Sequence, residues 1–124
     1  MENFVKERNL YLEETIKFFS EKEWESKNEV YFKNNGAFFF FTIVMEELKI
    51  KIYCNPLYRE IDLEYATAKS GWFDIYELDG YLDNPLKLEK MNVRDNFDNS
   101  YKRLLNFVYS NMDFMRNTDN WILK

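Results

Sequence analysis

The apolar positions of this chain follow one period near its two ends and another in its middle. Over residues 4–24, Val5, Leu12, Ile16 and Phe19 recur at helical spacing and Phe4, Tyr11 and Phe18 widen the stripe, while Glu13, Glu14, Lys17 and Glu21 lie opposite. This predicts an amphipathic helix with Asn3 as its N-cap. Over residues 93–116, Phe97, Tyr101, Leu104, Val108, Met112 and Met115 share one face, which predicts a second, long helix capped by Asn92. Between them residues 29–78 alternate with period two, and Asn34-Asn35-Gly36, Asn55-Pro56 and Lys69-Ser70-Gly71 punctuate the alternation. The expected fold is α+β: an N-terminal helix, a five-stranded antiparallel meander sheet in order 1-2-3-4-5, and a long C-terminal helix, with both helices facing the core.

Turn chemistry fixes the registers. A two-residue Asn35-Gly36 turn sets Asn34 opposite Ala37, Phe32 opposite Phe39 and Val30 opposite Phe41. A loop of even length at Glu46-Glu47 sets Ile43 against Ile50 and Phe41 against Ile52. If Cys54 faces Ile61, then Leu63 meets Ile52 and Tyr65 meets Ile50. A loop from Thr67 to Gly71 places Phe73 against Tyr65 and Ile75 against Leu63. One face is then apolar across all five strands, with a buried row of Val30, Phe41, Ile52, Leu63 and Ile75. The run GAFFFFTIVM is divided by the same alternation: Phe39 and Phe41 belong to the core, while Phe38 and Phe40 point to the second face. That face carries a row of Tyr31, Phe40, Tyr53, Asp62 and Tyr76 beside a row of Glu29, Thr42, Lys51, Glu64 and Asp74.

Length and charge narrow the function. The 124 residues suit a single domain spanning 1–124. The run from Gly36 to Met45 is too short for a bilayer, which needs about 20 apolar residues. The N-terminus has no apolar segment of the signal-peptide kind, and the single cysteine, Cys54, excludes an internal disulfide, so the cytoplasm is the expected compartment. Cys54 falls mid-strand on the apolar face, where a thiol is inert. The net charge of −5 disfavours nucleic acid and membrane surfaces and favours basic partners.

No catalytic residue, metal site or cofactor is expected. Histidine is absent, which removes the usual general base and the commonest transition-metal ligand. The three glycines, Gly36, Gly71 and Gly80, are too far apart for a phosphate cradle. Asp79, Asp83 and Asn84 in DGYLDN lack calcium-loop spacing, and Glu47-Leu48-Lys49 reads as a charged hairpin tip rather than a nuclease motif. Asp62, Glu64 and Asp74 converge on one face, where a glycosidase pair would need a cleft and an exposed ladder does not.

The acidic residues are unevenly placed. Seven of them and one basic residue, Lys69, lie between Glu60 and Asp83. There WFDIYELDGYLD interleaves Trp72, Tyr76 and Tyr81 with Asp74, Glu77, Asp79 and Asp83. One reading is a solvated edge strand whose charges prevent aggregation. The other is a binding surface of Trp72, Asp74, Tyr76, Glu77, Asp79, Tyr81 and Asp83, in which aromatic anchors supply contact and carboxylates steer a basic partner. Bases of single-stranded RNA stack on such faces too, but Lys33, Lys49 and Lys51 are too few for a phosphate groove.

A small acidic helix–meander–helix chain without catalytic residues, carrying this acidic aromatic stretch, resembles the bacterial immunity proteins that neutralise contact-dependent or polymorphic toxins. The resemblance covers the whole chain in character and rests on no shared motif, so it assigns no residue a role. It implies a tight, non-enzymatic inhibitor of a cognate, often basic, toxin domain. The alternative is a small ligand-binding or structural domain that forms a homodimer through the second sheet face.

Overall fold

A computed structural model of the protein describes residues 2–21, 29–68, 71–74 and 96–116. Its elements run in the order α1 (Glu2–Glu21), β1 (Glu29–Asn35), β2 (Phe38–Val44), β3 (Leu48–Asn55), β4 (Glu60–Thr67), β5 (Trp72–Asp74), α2 (Phe97–Ser110) and α3 (Met112–Arg116). The strands form one antiparallel sheet in the order β1-β2-β3-β4-β5, the expected meander. No helix among the described residues is long and apolar enough to cross a membrane.

Three of the four registers agree with the alternation of the sequence. Ile43 lies opposite Ile50 and Phe41 opposite Ile52. Cys54 meets Ile61 and Leu63 meets Ile52. Phe73 meets Tyr65, while Ile75 lies outside the described residues. The first hairpin is the exception, because its turn is Gly36-Ala37 and not Asn35-Gly36: Asn35 pairs with Phe38 and Phe32 with Phe41. Gly36 has φ +60° at the first turn position, where a type II′ turn needs a left-handed residue; Ala37 follows without a positive φ. A shift of two residues preserves the face of every side chain, so the error moves rows without inverting them. Arg8 of α1 donates from Nη1 to the Gly36 carbonyl at 2.7 Å and ties this turn to the helix.

The helix-covered face is the core. Phe39, Phe41, Ile43, Leu48, Ile50, Ile52, Leu63 and Tyr65 are fully or almost fully buried there, under Leu12 and Phe19 of α1 and Phe97, Tyr101, Leu104 and Val108 of α2. Phe19 stacks on Phe41 with ring centroids 5.6 Å apart. Cys54 is wholly buried in the same cluster, and burial pushes its thiol well above the ordinary range. A polar seam joins the helices. The Thr15 hydroxyl donates to the Tyr11 carbonyl at 2.7 Å, which uses its only hydrogen, so in the Thr15–Tyr101 hydrogen bond the Tyr101 hydroxyl is the donor.

Two expectations about this layer need correction. The row of Leu63, Ile52 and Phe41 runs on into Phe32 in place of Val30, and it is not buried at that end: Val30 is 40% and Phe32 53% exposed. The helices pack chiefly on β2, β3 and β4, which leaves β1 outside their span. The C-terminal helix is also not one long element. It breaks at Asn111, whose backbone leaves the helical region (φ −117°, ψ 17°) and whose side-chain amide donates to the Phe107 carbonyl at 2.9 Å. An Asn side chain competes in this way with the helical ladder. The apolar face nevertheless continues across the break through Met112 and Met115. At the other end, Asn3 lies inside the first turn of α1 and does not cap it, whereas Asn92 lies outside the described residues.

Candidate functional site

Alternation turns Phe38, Phe40, Tyr53, Lys51, Asp62, Glu64, Trp72 and Asp74 to the face away from the helices. On β2 and β3 it holds an aromatic cluster. Phe38, Phe40 and Tyr53 stand with their ring centroids 5.3 to 5.7 Å apart, and all three are half-buried. Asn55 fixes the outer end of this cluster, donating from Nδ2 to the Tyr53 hydroxyl at 3.2 Å. Its Oδ1 accepts from the Tyr58 N–H at 3.1 Å and closes the β3–β4 loop.

On β4 and β5 the face turns acidic. The register sets Asp62 opposite Tyr53, Lys51 opposite Glu64 and Glu64 opposite Asp74, the unfavourable carboxylate opposition that the sequence predicts. Lys51 is the cation within it. Its Nζ lies 3.8 Å from Glu64, 4.7 Å from the centre of the Trp72 ring and 5.8 Å from that of Phe40. Trp72 reaches Lys51 across β4, where its partner Ala66 presents only a methyl group. Phe40, Lys51, Tyr53, Asp62 and Glu64 line a concavity of about 320 Å³, with Leu63 contributing to its wall.

Asp62 is the carboxylate most affected by this setting. Burial holds its carboxyl above the usual range, and the Asp74 and Glu64 charges add to the shift against the Leu63 N–H, which donates to Asp62 at 2.8 Å. A positive charge delivered to the concavity reverses that balance. Among the described residues no group of three or more Cys, Asp and Glu side chains is arranged to hold a metal ion.

Of the seven residues the sequence nominates for binding, the structure places two, Trp72 and Asp74, at adjacent register positions of β5 on this face. Trp72 is 47% exposed and Asp74 half-buried. Tyr76, Glu77, Asp79, Tyr81 and Asp83 lie outside the described residues. What the sequence did not nominate is the cation-and-ring arrangement of Lys51, Phe40 and Trp72. Its cross-strand half, Lys51 opposite Glu64, follows from register. Its other half depends on an indole lying over an alanine, which periodicity does not encode.

The register shift on β1 alters the rim: Lys33 now stands opposite Phe40, Tyr31 opposite Thr42 and Glu29 opposite Val44. Comparison of the chain with protein-family models, with curated proteins and with solved structures finds no match.

Proposed function

We propose that this chain is a non-enzymatic protein-binding module whose second sheet face and β5 edge receive a basic protein. The observation that carries this reading is the seat of Lys51, a cation held between the Trp72 and Phe40 rings and beside Glu64. The face thus already accommodates one ammonium in the geometry that a partner's Lys or Arg would need, worth about 0.5–1 kcal/mol per exposed cation–π contact and more when desolvated. Three carboxylates, Asp62, Glu64 and Asp74, gather on the β4–β5 side of that seat, while Lys49 and Lys33 stand at its margins opposite Ala66 and Phe40, so the negative charge is concentrated toward the β5 edge. Rigid aromatic anchors beside steering carboxylates are the arrangement that gives both residence and rapid encounter.

The partner suggested by the character of the chain is a cognate toxin domain, which makes the protein an immunity protein acting in the cytoplasm. The absence of histidine and of a glycine-rich phosphate loop from the whole sequence supports inhibition by binding over chemistry. Capture of the partner from the native cell, followed by affinity measurements, tests the reading. Trp72→Ala is expected to weaken binding by about 2 kcal/mol or more, chiefly through faster dissociation. Asp74→Arg is expected to slow association, with a loss that shrinks as salt rises. Because a bound cation favours the Asp62 carboxylate, affinity should fall as the pH is lowered through the Asp62 titration. A partner indifferent to all three changes argues for the ligand-binding or homodimeric alternative.

A further inference from the structure

The two edges of the sheet are unlike. β5 is three residues long among the described residues, whereas β1 runs through seven consecutive pairs with β2, without a bulge or a proline, and every one of its residues is exposed. Natural edge strands are usually shortened, bulged or broken by proline to prevent pairing with another chain. β1 has no bulge or proline, its two charges, Glu29 and Lys33, flank rather than interrupt its apolar stretch, and it shows apolar side chains on both faces: Val30 and Phe32 on the helix side, and Tyr31, 55% exposed, on the other. Among the described residues no strand pairs with its outer edge.

The register shows which backbone groups that edge offers. In a two-residue hairpin the closing pair, here Asn35 and Phe38, exchanges both hydrogen bonds. Alternation from that pair turns the N–H and C=O groups of Val30, Phe32 and Asn34 away from β2 and onto the open edge. A second, antiparallel copy of β1 related by a two-fold axis at Tyr31 meets the pattern at Val30 and Phe32, with Asn34 beyond the paired segment. Val30 pairs with Phe32 of the second copy, and Phe32 with its Val30, both at hydrogen-bonding positions. Tyr31 meets Tyr31 at a non-hydrogen-bonded position, and Glu29 meets Lys33 twice, oppositely charged and on one face.

We infer that β1 is a homodimerisation edge through which two copies of this chain join their sheets into one of ten strands, in the register that pairs Glu29 with Lys33 and Val30 with Phe32. The same register continues the row: Leu63, Ile52, Phe41 and Phe32 of one copy run on into Val30, Ile43, Ile50 and Tyr65 of the other. The contact is isologous, occupies the open groups of Val30 and Phe32 on both β1 strands and therefore closes at two copies. It leaves the Lys51, Trp72 and Asp62 face free, so a dimer presents two such faces to partners.

Sedimentation of the purified chain across micromolar concentrations tests the inference. A reversible dimer is expected. Lys33→Glu and Glu29→Lys are each expected to weaken self-association about tenfold or more by opposing like charges at both ends of the strand, while an equimolar mixture of the two variants regains wild-type association as a heterodimer. Tyr31→Cys should cross-link under mild oxidation, because a non-hydrogen-bonded pair places its Cα atoms about 4.5 Å apart, within disulfide reach. Val30→Cys should not, since its opposite number is Phe32. A monomer at all concentrations, a dimer indifferent to both charge reversals, or cross-linking through Val30→Cys in preference to Tyr31→Cys would overturn the inference. Both charge variants change exposed residues, and their circular dichroism should match the wild type.

Discussion

Phe39 and Phe41 are 0% and 1% exposed beneath the helices, whereas Phe38 and Phe40, their neighbours on the same strand, stand half-buried among Tyr53, Lys51 and Asp62. The amino acid is the same and the strand is the same. What differs is the company that the neighbouring strands supply at each alternate position. On the helix side β3 and β4 offer Ile50, Ile52, Leu63 and Tyr65, so the rings are sealed into a dry layer. On the other side the same two strands offer Lys51, Tyr53, Asp62 and Glu64, so the rings keep a face toward charge. A phenylalanine run thus builds a core with one half of its members and a recognition surface with the other.

The sharpest way to break this contrast is to remove one ring from each side. Phe41→Ala should cost about 3–5 kcal/mol in urea unfolding, the range for a fully buried aromatic truncated in a close-packed core. Phe40→Ala should cost less, about 1–2 kcal/mol, because its ring is only partly buried. Comparable losses at both positions would mean that the second face is a second core.

The polar seam beneath the helices ranks next. Thr15→Val keeps the shape of the side chain but leaves the buried Tyr101 hydroxyl without its acceptor, for an expected loss of about 1–3 kcal/mol. Adding Tyr101→Phe removes the orphaned group. The double variant should therefore lose less than the sum of the single changes, a coupling read from the same unfolding curves. Strict additivity would show that the two hydroxyls do not depend on each other.

A smaller effect sharpens the acidic side. The folded state holds the Asp62 proton more tightly than the unfolded chain does, so ionisation of this carboxyl disfavours folding. The penalty is absent below the unfolded value of about 4 and complete above the raised folded one. Asp62→Asn should therefore stabilise the protein at neutral pH, by a few tenths of a kcal/mol given its partial exposure to solvent, and the gain should vanish as the pH falls toward about 4. Thermal unfolding at several pH values reads this directly. Lys51→Ala should likewise have a small effect, a loss of about 1 kcal/mol or less, since its ion pair with Glu64 and its ring contacts are partly open to solvent.

How much of this was legible in the sequence depended on which force set each feature. Face assignment was legible throughout the described strands, because period-two alternation decides it and survives a two-residue slip, as the β1–β2 hairpin demonstrates. The slip itself arose because one glycine suits either turn position, first in a type II′ turn or second in a type I′ turn, and the pattern of the flanking strands does not distinguish the two. The exposure of Val30 and Phe32 was hidden for another reason: alternation says which side a residue faces and not how far the helices extend above it. The break at Asn111 was signalled by a residue that competes for helical carbonyls, but the uninterrupted apolar stripe from Phe97 to Met115 outweighed it. At the site, the acidic ladder and the Lys51–Glu64 pair followed from register, while the position of Trp72 over Lys51 required side-chain packing.

Calorimetric titration of the purified chain with the basic protein that it retains in its native cells, repeated with Trp72→Ala and with Asp74→Arg, tests the central claim most directly. The account predicts saturable binding that weakens about 30-fold or more without Trp72, the equivalent of 2 kcal/mol. It predicts a loss with Asp74→Arg that diminishes as salt rises. Recovery of no basic partner, or an affinity unchanged by both substitutions, would contradict it.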